Sequence, residues 1–139
     1  MEPEALKNIF FMNYNFNKKV KGSFDETIGK VTATLQKEGF GVITEINLQE
    51  KFNDKLNVDF RRYTILGACN PKLAYEAIQQ EPNVGVMLPC NILVQETGNN
   101  EVEIAAINPL ASIGAVQNKK LESLANAVSN KLKTVIDGL

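Results

Sequence analysis

The strings Ile65-Leu66-Gly67-Ala68-Cys69-Asn70-Pro71 and Met87-Leu88-Pro89-Cys90-Asn91 decide how this chain is read. Each sets a Cys-Asn pair where an apolar run meets proline. Together they hold both cysteines of the protein. The first string ends a strand and opens a helix, because asparagine caps well and proline suits the first helical turn. The second string begins a strand. If the chain doubles back between them, the two strands are antiparallel and both cysteines lie at one end of a sheet. If it crosses over, the strands are parallel and the cysteines lie at opposite ends. A helix of ~10 residues covers ~15 Å. The segment 83–89, if extended and buried, climbs back ~20 Å or more. Reach favours doubling back.

Outward from this centre the periodicities are plain. Asn13-Tyr14-Asn15-Phe16-Asn17 alternates polar and aromatic residues, which predicts a half-buried strand. Ser23-Phe24-Asp25-Glu26 is a capping box. Phe24, Ile28, Val31 and Leu35 follow at helical spacing, and Gly39 supplies the stop. A second strand is predicted over 41–46 and a third over 60–68. Between them Leu48, Phe52 and Leu56 stand four apart, which predicts a short amphipathic helix acting as a partial lid. Strands over 90–96 and 101–107 form a hairpin around Gly98-Asn99. Asn108-Pro109 repeats the cap-plus-proline signature. The last helix is predicted over 118–137, with Leu121, Leu124, Ala125, Val128, Leu132, Val135 and Ile136 on one face. The fold class is therefore α+β, an antiparallel meander gripping the long last helix. The alternative is a ferredoxin-like core with an extra hairpin. Residues 1–11 read as an extension and 12–139 as a single domain.

Composition narrows the function. At 139 residues with 44% hydrophobic and 22% charged content, the chain has the profile of one globular domain. Net charge is −1, and no basic block offers a nucleic-acid footprint. No apolar run reaches the ~18–20 residues of a membrane span. The acidic start Met1-Glu2-Pro3-Glu4 does not resemble a secretory signal, so a cytoplasmic location with reduced cysteines is expected. Histidine is absent, which removes Ser-His and Cys-His nucleophiles within the chain. Walker, GxGxxG and GxSxG strings are absent too.

Lys37-Glu38-Gly39-Phe40-Gly41-Val42, Asp59-Phe60-Arg61-Arg62-Tyr63 and the two Cys-Asn strings together resemble the bacterial and archaeal family called domain of unknown function 302. The similarity runs from about Asn13 to the C-terminus. The resemblance implies a helix-grip, TATA-binding-protein-like architecture and a homodimer. It implies no activity. The family pattern often carries aspartate where this chain has Asn47 and Asn108, so carboxylate chemistry at those two positions is not expected here.

Three groups of residues are candidates for chemistry. Cys69 and Cys90 stand 21 positions apart, which fits no CxxC zinc pair. Near a helix N-terminus a thiol becomes more acidic, open to sulfur transfer or disulfide exchange; otherwise both are small buried hydrophobes. No metal site is expected, since two sulfurs without histidine leave coordination incomplete. Asn70, Asn91 and Asn108 offer amides to a neutral ligand, although capping already accounts for Asn70 and Asn108. Glu45, Lys55, Arg61 and Arg62 offer an anchor for an anion, or else ordinary surface ion pairs. The leading expectation is a homodimeric small-ligand-binding domain, not an enzyme, with its site at Cys69, Asn70, Cys90 and Asn91, helped by Glu45, Lys55 and Arg62. No cofactor is specified. The rivals are a thiol redox or sulfur-relay protein using one cysteine as nucleophile, and a structural dimerisation module.

Overall fold

The computed structural model describes residues 13–113 and 116–139. The expected extension over residues 1–11 lies outside the described residues. Five strands form one sheet: β1 (Asn15–Lys21), β2 (Gly41–Asn47), β3 (Tyr63–Cys69), β4 (Cys90–Gly98) and β5 (Glu101–Ile107). Their spatial order is β1-β5-β4-β3-β2, and every neighbouring pair is antiparallel. Helices α1 (Phe24–Lys37) and α5 (Lys119–Asp137) pack on one face. Shorter helices α2 (Leu48–Leu56), α3 (Pro71–Gln80) and α4 (Pro109–Ile113) lie in the connections. The architecture is two-layer α+β with the last helix gripped by the sheet.

The chain does double back. Ala68 of β3 pairs with Cys90 of β4, so the ferredoxin-like alternative is excluded by register. The physical route differs from the expected one. The segment after α3 is a 3₁₀ helix, Pro82–Met87, and not an extended climb. Val84 and Val86 alternate as strand residues do, but only Val84 is buried and Val86 faces solvent. Pro82 takes the first helical position and the Glu81 carboxylate accepts from the Asn83 amide, so the turn is capped locally.

Local signals explain the long helices. The Ser23 hydroxyl accepts from the Glu26 amide at 3.2 Å and starts α1. Gly39, at φ +85°, ends it in the left-handed conformation that glycine adopts without strain. Asn118 caps α5 by accepting from the amides of Lys120 and Leu121. The main core packs Phe24, Val31 and Leu35 of α1 and Leu132, Val135 and Ile136 of α5 onto Leu66, Ile92, Val94, Val102 and Ile104 of the sheet. A second, smaller core joins Ala77 of α3 and Val84 to Ile113, Leu121 and Ala125. The hairpin turn is Asn99-Asn100, one residue later than expected, with Asn100 at φ +58°.

On the opposite face of the sheet, Ile46, Ile65, Leu93 and Ala105 share one register row across four strands. Antiparallel sheets commonly leave one face uncovered in this way.

Candidate functional site

Two cores with a gap between them define the site. The main core ends at Phe40 and Ala68, while the second lies under α3 and against the start of α5. Between them is a cavity of about 260 Å³. Its walls are Phe40 and Ala68 at the sheet end, Leu73, Ala74 and Ala77 of α3, Val84 and Met87 of the 3₁₀ turn, and Leu121, Leu124 and Val128 of α5. Cys69, Asn70 and Cys90 complete the rim.

The antiparallel register puts the two cysteines at the same end of the sheet. Cys69 lies one residue beyond the Ala68–Cys90 pair. A strand spacing of ~4.8 Å and a rise of ~3.3 Å put their Cα atoms about 6 Å apart. Burial in this apolar wall pushes the Cys90 thiol up from 9.0 to about 11, and the neighbouring Cys69 adds to the shift. Cys90 is therefore a neutral thiol at physiological pH.

That shift has a stability consequence. With its folded value above its unfolded one, Cys90 contributes stability that is complete below about pH 9 and lost as pH rises toward 11. A rise from 9.0 to about 11 corresponds to at most about 2–3 kcal/mol. Urea midpoints of the wild type and Cys90→Ala, compared from pH 8 to 11, should therefore show the wild type losing its advantage across that window. A difference independent of pH contradicts the assignment.

The polar groups of the wall are already engaged. Asn70 accepts from the Leu73 amide at 3.2 Å and donates to the Glu38 carbonyl at 3.4 Å, tying the end of α1 to the start of α3. The Ser112 hydroxyl donates to the Pro109 carbonyl at 3.1 Å. Among the described residues, no Asp, Glu, Lys or Arg lines the cavity. A ligand there meets hydrocarbon and the neutral Cys90 thiol.

The other expected site residues fall elsewhere. Asn91 pairs with Gly67 and is exposed outside the cavity. Asn108 is buried as a structural tie, accepting from Leu110 and Ser129 and donating to the Asn13 carbonyl. Glu45 and Arg62 border a separate hollow of about 130 Å³ with Asn47 and Thr64. Arg62 there lies over the Phe24 ring at 4.3 Å and pairs with Asp25 at 2.6 Å. Lys55 is exposed on α2 and lines neither cavity. The five residue steps from Thr64 to Cys69 along β3 separate the two sites by ~17 Å.

The expected lid is also corrected. Helix α2 packs at the Tyr63 end: Phe52 meets Phe60 edge-to-face at 5.1 Å, and Gln49 donates to the Phe60 carbonyl. No residue of 47–56 reaches the cavity. Its cover is α3 with the 3₁₀ turn. Asn47 caps α2 through the Glu50 amide, so it has a structural role.

Among the described residues, no helix is long and apolar enough to cross a membrane, and no three His, Cys, Asp or Glu side chains cluster as a metal site.

A two-layer helix-grip domain with an apolar end cavity is thus the class that fold and site define. The chain belongs to the family Domain of unknown function DUF302, whose pattern matches residues 16–139. It is similar to the solved crystal structure of an uncharacterized conserved DUF302 protein from Bacillus stearothermophilus, with 28% identity and a TM-score of 0.82. The match covers 89% of this chain and 96% of that one. Comparison with the curated proteins gives no match.

Proposed function

We propose that this protein binds a small, neutral, mainly apolar molecule in the cavity at the Cys69/Cys90 end of the sheet. The observation that carries the reading is an apolar space of about 260 Å³ whose polar rim groups are already paired. An apolar cavity of ~150 Å³ suffices for benzene, so a substituted ring or short branched chain fits here. Charged ligands are disfavoured because an unpaired ion in such a wall costs several kcal/mol. A nucleophilic role for Cys90 is disfavoured on the same ground, since its thiolate is scarce near neutral pH.

Titration with indole, benzoate and benzylammonium, followed by amide NMR shifts, tests the reading. Indole is expected to bind with a dissociation constant on the order of 0.1–1 mM, shifting residues of α3 and the start of α5. The two ions should not bind there. Ala74→Phe, which places a ring into the cavity, should abolish the indole shifts. Absence of indole binding, or equal binding by the ions, overturns the proposal.

A further inference from the structure

The hollow beside Arg62 gathers charges of both signs around one unused polar group. Its floor belongs to the helix-bearing face of the sheet, where Asn47 pairs with Thr64 and Glu45 pairs with the core residue Leu66. Strand alternation puts Glu45, Asn47 and Thr64 on that one face. Arg62 reaches the same side, since its guanidinium lies over the Phe24 ring and meets Asp25 in the first turn of α1. All of them line a single space of about 130 Å³. We propose that this hollow binds a small zwitterion of the amino-acid class, with its ammonium on Glu45 and Thr64 and its carboxylate on Arg62.

Thr64 is the residue that points to a ligand. It is 4% exposed. Its hydroxyl makes no hydrogen bond among the described residues, yet the oxygen is not sealed in the core. The surface it keeps opens on the hollow. A hydroxyl there offers one donor and spare acceptor sites to whatever enters. Glu45 forms no ion pair among the described residues, although it shares this space with Arg62. Arg62 uses Nη2 on Asp25, and the guanidinium keeps further N–H donors for a ligand carboxylate. That pair is exposed, so a competing carboxylate displaces Asp25 at little cost. A lone anion is opposed here by Glu45 and a lone cation by Arg62. A molecule carrying both charges satisfies each. Size fits as well: a cavity of ~150 Å³ takes benzene, which has as many heavy atoms as alanine. The site lies ~17 Å along β3 from the cysteines, and the inference does not rest on the apolar-ligand reading.

The test titrates the full chain with L-alanine, propionate and ethylammonium, followed by amide NMR shifts. The last two are alanine without its amine and without its carboxylate. L-Alanine is expected to give saturable shifts at Glu45, Asn47 and Thr64, with a dissociation constant on the order of 1 mM. Each single-charge analogue should bind at least about tenfold more weakly. Glu45→Gln should weaken L-alanine binding by about tenfold, and Thr64→Val by about three- to tenfold. Thr64→Val breaks no existing hydrogen bond, so its urea midpoint should stay near wild type and separate a lost ligand contact from a lost fold. The proposal is overturned if L-alanine gives no saturable shift up to about 50 mM, if either analogue binds as tightly, or if both variants bind like wild type. Indole binding in a protein indifferent to L-alanine would remove this site and leave the cavity reading standing.

Discussion

Gly67→Ala should destabilise the protein by about 2–4 kcal/mol. Gly67 lies in β3 between Thr44 of β2 and Asn91 of β4. A methyl group there would stand 2.1 Å from the Thr44 hydroxyl oxygen and 2.8 Å from Cγ of Pro89. Neither neighbour is a flexible chain end. Thr44 is β-branched and follows the irregularity between Val42 and Thr44 that sets its register, while Pro89 is a ring. The missing side chain lets both approach the sheet just before the rim that carries Cys69 and Cys90. Chemical denaturation checks the loss. Thr44→Ala alone, at an exposed position, should cost under about 0.5 kcal/mol. Combined with Gly67→Ala it should restore part of the stability, giving a coupling of about 1 kcal/mol or more. The remainder belongs to Pro89. A Gly67→Ala protein within 0.5 kcal/mol of wild type would contradict the close packing.

The second large effect is at Asn108. Its side chain accepts from the Leu110 amide at 3.2 Å and the Ser129 hydroxyl at 2.8 Å, and donates to the Asn13 carbonyl at 3.0 Å. It is 8% exposed, and it joins the entry to β1, the start of α4 and the middle of α5. Asn108→Ala leaves three partners without it and should cost about 3–4 kcal/mol. Asn108→Asp keeps both acceptor contacts but sets a buried carboxylate against the Asn13 carbonyl. The new carboxyl would have a folded pKa above its unfolded value. Its stability is then intact below the unfolded value and falls as pH rises through the folded one. Asn108→Asp should therefore approach wild type near pH 4 and lose about 2–3 kcal/mol at pH 8. Loss independent of pH would contradict this hydrogen-bond assignment. In this chain Asn108 is a tie between elements.

Much of the framework was legible because its signals are local. Ser23 and Gly39 bracket α1, Asn70-Pro71 opens α3, and the spacing from Leu121 to Ile136 writes α5. The direction of return after α3 was also recoverable, although Pro82 and Glu81 build a capped 3₁₀ turn where an extended segment was expected. The site was legible only at its rim. Cys69, Asn70 and Cys90 sit at element ends where polar and proline punctuation marks them. Most of the wall was hidden, since Leu73, Leu121, Leu124 and Val128 look like any core residues, and only tertiary packing leaves space between them. Helix α2 misled because Leu48, Phe52 and Leu56 announce an apolar stripe but not its target; Phe60 takes Phe52 at the wrong end for a lid. Glu45, Lys55 and Arg62 were grouped by charge, and the sheet carries them away from the cysteines along β3. Met87 was readable in principle, three residues before Cys90, but a thioether in an apolar run carries no mark of its own.

The central claim is that the sheet end beside Cys69 and Cys90 encloses a dry, apolar space. A crystal of the protein pressurised with xenon reads this directly, because xenon enters apolar cavities and not polar, hydrated ones. Xenon density bounded by Leu73, Leu124 and Val128 is the expected result. Ordered water filling that volume, or collapse of α3 onto α5 with no xenon between them, would contradict it.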